Sequence, residues 1–88
     1  MNEMHLIKLI DEIETICLYD FRSRELQIDY SYKIRRSLSS ATYRLSKVGM
    51  LVNEANFIKT IKSRSGRIDY LVDLLPKLYE LERGIVAC

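Results

Sequence analysis

An all-α fold is predicted for this 88-residue chain, and three observations predict it. Apolar residues recur at spacings of three and four over most of the length. Only three Gly and one Pro interrupt the pattern. The one strand-like stretch has no second alternating run to pair with. The length sets one domain, residues 1–88, near the lower limit for burying an adequate core unaided. Its 48% hydrophobic and 30% charged residues match a folded chain and argue against disorder.

Helix 1 is expected over about 3–22, because Leu6, Ile7, Ile10, Ile13, Cys17 and Phe21 fall on one helical face flanked by acids. Asn2 is the expected N-cap, and Glu3 suits the positive end of the helix dipole. Ser23 and the charges around it mark the end.

Helix 2 is expected over about 26–62. Leu26, Ile28, Tyr30, Tyr32 and Ile34 alternate as in a strand, but the residues that follow argue for a helix. Ile34, Leu38, Ala41, Leu45, Val48, Val52 and Ala55 are spaced 4, 3, 4, 3, 4, 3, a heptad seam. A helix of that span is about 55 Å long, longer than an 88-residue globule is wide. It also carries Tyr43, Met50, Leu51, Phe57, Ile58 and Ile61 off the seam. A homo-oligomeric bundle covering the seam is therefore expected. A break near Ser37–Ser40, giving a four-helix monomer, is the alternative.

Ser63 to Arg67 reads as a turn, with Ser65 the candidate N-cap of helix 3, expected over about 66–83. Ile68, Leu71, Val72, Leu75, Leu78 and Tyr79 form its apolar face. Pro76 should kink it and Gly84 should end it.

No catalytic, cofactor or metal site is expected. His5 is the only histidine, and no Cys-x-x-Cys or His-x-x-x-His pair exists. Glycines 49, 66 and 84 are isolated, so no phosphate-binding glycine loop is present. Of the two cysteines, Cys17 is expected to be a buried, inert thiol and Cys88 to fray. A small helical bundle lined by Arg and Lys is similar in architecture to the all-helical chorismate mutases. Those enzymes place basic site residues on a long first helix, where this chain has only Lys8. The protein is therefore expected not to be an enzyme. No apolar run approaches the roughly 18–20 residues that span a bilayer, so no membrane partner is expected. The acidic start, broken by Lys8, does not read as a signal peptide, and a cytoplasmic location is expected.

Charge is strongly segregated. Residues 1–21 carry one cation against five anions, 22–67 eleven cations against Glu25, Asp29 and Glu54, and 68–88 two cations against four anions. Such a basic middle either binds the chain's own acidic helices or meets an external anion. Arg35, Arg36, Arg44 and Lys47 interleave with Tyr30, Tyr32 and Tyr43 on helix 2. Basic residues mixed with aromatics suit phosphates and stacked bases. Arg44, Lys47, Lys62, Arg64, Ser65 and Arg67 are the candidate anion-binding residues, and Ile34, Leu38, Leu45, Val48 and Val52 the oligomer or core seam. The leading expectation is a small non-enzymatic regulatory or adaptor protein that self-associates and binds a partner protein through helical faces. The alternative is binding of a nucleic acid or nucleotide by the basic segment 22–67.

Overall fold

The computed structural model describes the backbone of residues 2–87 and the side chains of residues 3–84. Four helices follow one another: α1 (Asn2–Leu26), α2 (Ser31–Lys47), α3 (Val52–Ile58) and α4 (Arg64–Ala87), with a 3₁₀ turn at Gly49–Leu51 leading into α3. No strand occurs among the described residues. The all-α class stands, but the expected count of three helices does not. The span 26–62 is divided in two places, and the chain continues through Ser37–Ser40 without a break.

The first division follows Leu26. Gln27 adopts φ 54°, the left-handed conformation that ends many helices. Gly is the usual residue there, because a side chain in that region costs about 1 kcal/mol. The carboxylate of Asp29 accepts hydrogen bonds from the Ser31 N–H (2.9 Å) and the Ser31 hydroxyl (2.5 Å). Those bonds hold the reversal, and α2 returns antiparallel to α1. Tyr30 then meets Tyr19 with ring centroids 4.9 Å apart, and Arg44 reaches back to His5.

The second division is at Val48, which is extended (φ −95°, ψ 107°). Bending there lets Leu51, Ala55 and Ile58 enter the same core as Leu45 and Val48. The tighter 3₁₀ turn advances the buried phase by one residue, from the expected Val52 to Leu51. Val52 is therefore 56% exposed, whereas Leu51 is fully buried. A straight helix would carry these side chains past the end of its partner, and each forgoes about 1.5–3 kcal/mol if left in water. Ile34, Leu38, Leu45 and Val48 are covered within one chain, so the length argument for a second copy no longer applies.

On α1 the buried face is Leu6, Leu9, Ile10, Ile13 and Ile16. Ile7 and Phe21, expected in that face, are exposed, and Cys17 is half-buried. The reason is position: α1 lies between α2 and α4, so its covered arc is centred between the two neighbours. α1 also runs past Ser23, whose hydroxyl donates to the Asp20 carbonyl (2.9 Å). It already contains Asn2, the expected cap.

α4 begins at Arg64, so the cap is Ser63, not Ser65: the Ser63 Oγ accepts from the Gly66 N–H at 3.0 Å. The helix continues through Pro76 and beyond Gly84, both expected to interrupt it. Packing of Leu71 and Leu78, both fully buried, outweighs the one missing amide. The Cα atoms span 43 × 28 × 19 Å, a slab that leaves many large apolar side chains at its surface. No described helix is long and apolar enough to cross a membrane. Cys88 lies outside the described residues.

α4 is tied to α1 by the Tyr79 hydroxyl, which donates to a Glu14 carboxylate oxygen at 2.6 Å. That bond pushes the phenol up to about 12 from its ordinary 10. A raised folded value means that the bond's contribution is complete below pH 10 and is lost as pH rises toward 12. Tyr79→Phe should therefore melt below the parent at pH 8, with the gap closing above pH 10. Thermal melts of the two proteins at matched pH read this directly.

Candidate functional site

Of the two alternatives for the basic middle, direct pairing with the acidic ends accounts for few of its cations among the described residues. Among the described residues the ion pairs are Arg24–Asp20, Arg44–Glu12, Lys77–Glu54 and Arg83–Glu80. Only Arg44–Glu12 joins α2 to α1. The other cations of α2 and of the turn before α4 form no ion pair among the described residues, although Lys33 and Arg36 share a hollow with Glu12.

Three of the six candidate anion-binding residues come together. Lys62, Arg64 and Arg67 line a hollow of about 430 Å³ whose other wall is Arg35, Ser39 and Thr42 of α2. The Arg67 Nε donates to the Ile61 carbonyl at 2.7 Å, which fixes that side chain against the turn. Arg44 and Lys47 do not join this group. Arg44 faces α1, donating to Glu12 Oε1 (3.4 Å) and His5 Nδ1 (3.2 Å), and Lys47 lies 5.2 Å from the Tyr43 ring centre. Ser65 is exposed in the first turn of α4. Arg35 was missed as a member. Its spacing to Ser39 and Thr42 places the three on one helical face, but which face meets the turn is settled only by the second break.

A different groove, of about 510 Å³, lies between α1 and α4. Cys17, Phe21, Ile68 and Val72 supply its apolar lining, and Asp20, Asp69 and Asp73 its carboxylates. Arg24, also in the lining, is paired with Asp20 at 2.7 Å. Phe21 is 61% exposed and Leu18, farther along α1, 47%. Burial, with Asp20 and Glu14 nearby, pushes the Cys17 thiol up, so it is a poor nucleophile although not fully enclosed. Sequence reasoning missed this groove, because Phe21 and Cys17 read as core.

A polar hollow of about 310 Å³ between α1 and α2 holds Glu12, with Lys33, Arg36 and Ser40 in its lining. Glu12 Oε1 also accepts from the Ser40 hydroxyl at 2.6 Å, while its Oε2 is buried without a protein partner. Partial burial and the Arg44 charge hold His5 below the usual imidazole range. It is therefore neutral at pH 7 and accepts from Arg44, which can only donate. The described residues contain no cluster of three metal-ligating side chains. Scans against protein-family models, curated proteins and solved structures find no match to this chain.

Proposed function

We propose that this protein is a small non-enzymatic regulatory or adaptor protein that acts by docking a helical segment of a partner protein between α1 and α4. The supporting observation is an apolar lining of Phe21, Ile68 and Val72 beside Asp69 and Asp73, which form no ion pair among the described residues, and Asp20, which is paired with Arg24. An apolar groove with a polar rim suits the apolar face of an amphipathic helix. The carboxylates select a helix flanked by Lys or Arg, since facing like charges across such a contact costs several kcal/mol. Exposed Leu18 continues the apolar strip along α1 and lengthens the contact.

A fluorescent leucine–lysine amphipathic peptide should bind at low salt in an anisotropy titration, and a leucine–glutamate peptide should not. Phe21→Glu and Asp73→Lys, both at exposed positions, should each abolish that binding with unchanged circular dichroism. No binding by the parent protein, or equal binding by both variants, rejects the reading. A scattering mass of twice 10.4 kDa that Phe21→Glu halves assigns the groove to a second copy of the chain.

A further inference from the structure

The outer face of α2 has a chemistry opposite to that of the α1–α4 groove. Tyr32 is 63% exposed and Tyr43 56%. Eleven residues separate them, about three helical turns, so both rings stand on one face roughly 16 Å apart along the axis. Between them lies a shallow hollow of about 560 Å³ lined by Arg35, Arg36, Ser39 and Ser40. Arg35 and Ser39 also line the cationic hollow with Lys62, Arg64 and Arg67, so the two hollows adjoin. Neither has an Asp or Glu in its lining.

None of the cations here forms an ion pair among the described residues, although Arg36 also lines the hollow that holds Glu12. Arg36 lies 5.8 Å from the Tyr32 ring centre and Lys47 lies 5.2 Å from that of Tyr43. Asp29 feels both Arg35 and Arg64. Its carboxylate is nevertheless engaged by Ser31, and neither arginine forms an ion pair among the described residues. Holding like charges together on a folded surface is unfavourable unless an anion meets them. The α4 amides of Gly66 and Arg67 do not make this site, since Ser63 already takes their N–H groups. The side-chain cations do.

We infer that this face binds single-stranded nucleic acid, with unpaired bases stacked on Tyr32 and Tyr43 and the phosphates held by Arg35, Lys62, Arg64 and Arg67. Exposed rings beside a cationic track stack bases of any sequence, and the track follows the backbone. A duplex keeps its bases stacked on each other and offers the rings nothing, so single strands are preferred. The hydroxyls of Ser39 and Thr42 supply donors to phosphate oxygens between the cations. The surface uses none of the residues of the α1–α4 groove, so the two readings stand or fall separately.

The test is fluorescence anisotropy with labelled oligo-dT and oligo-rU of about 15 nucleotides, a matched duplex and inorganic polyphosphate, at about 20 mM salt and upward. The parent protein should bind both single strands, with log affinity falling linearly in log salt. The ratio of dT to rU affinity tells DNA from RNA. Tyr32→Ala/Tyr43→Ala should weaken the single strands by at least about fivefold per ring and leave polyphosphate unchanged. Lys62→Glu/Arg64→Glu should weaken all anions and flatten the salt slope. These four side chains are exposed, and circular dichroism checks that each variant is folded. Phe21→Glu should leave every nucleic-acid affinity unchanged. Absence of binding at the lowest salt, equal affinity for duplex and single strand, or tyrosine variants that bind like the parent would each overturn the inference.

Discussion

Val48→Asp is expected to leave the chain unfolded, whereas Val52→Asp should keep the parent's helical signal and urea midpoint. The two valines occupy consecutive seam positions of one heptad pattern. Read as one continuous helix, they would suffer alike. In the folded chain Val48 is 3% exposed and Val52 56%, because the extended backbone at Val48 and the 3₁₀ turn that follows it shift the phase. A carboxylate enclosed at Val48, with no cation to meet it, costs several kcal/mol. A domain of this size has roughly 5–10 kcal/mol in total. At Val52 the same carboxylate stays in water and sits in the first turn of α3, where a negative charge is favoured. Ellipticity at 222 nm and a urea titration of each variant decide the matter. Equal collapse of the two would mean that the register shift is wrong or that a second copy covers Val52.

Glu12→Ala should cost about 1–3 kcal/mol, large for a residue outside the apolar core. Its Oε1 joins α1 to Ser40 and Arg44 of α2, and it forms the only ion pair between those helices among the described residues. Removing it leaves the Arg44 guanidinium, four-fifths covered, facing a neutral His5. Glu12→Gln keeps an acceptor and loses the charge, so an intermediate loss is expected. Glu12→Ala/Arg44→Ala should be more stable than the sum of its single changes predicts, since no cation is then stranded. Urea unfolding of the four variants measures the coupling. Strict additivity would show that water already serves both groups.

The elements that were legible are those whose information is local. Spacings of three and four mark Leu6–Ile16, Ile34–Leu45 and Ile68–Leu78 as helical wherever they pack. Their type follows from periodicity alone. The ends of the helices were not local in this sense. Gln27 is a poor marker of a left-handed stop, and Val48 of an extended break. Each adopts its conformation because the chain beyond it gains a core by turning back, with Tyr30 reaching Tyr19 and Leu51 reaching the interior. Gly84 and Pro76 failed as stops for the same reason reversed: Leu71 and Leu78 hold α4 to the core on both sides of the proline.

The same division runs through the candidate sites. That residues 22–67 are basic and interleaved with tyrosine is a property of the sequence, since composition and the period of one helix need no partner to be read. Lys62, Arg64 and Arg67 were found that way because they are neighbours along the chain. Arg35 joins them only because the chain bends at Val48 and carries the turn back beside α2, and Arg44 leaves them because its face of α2 meets α1. The groove of Phe21, Ile68 and Val72 exists only where two helices distant in sequence lie side by side. Sequence alone determined what each helix offers. Which faces are covered and which meet solvent was decided by tertiary packing, because burial depends on the neighbour and not on the residue itself.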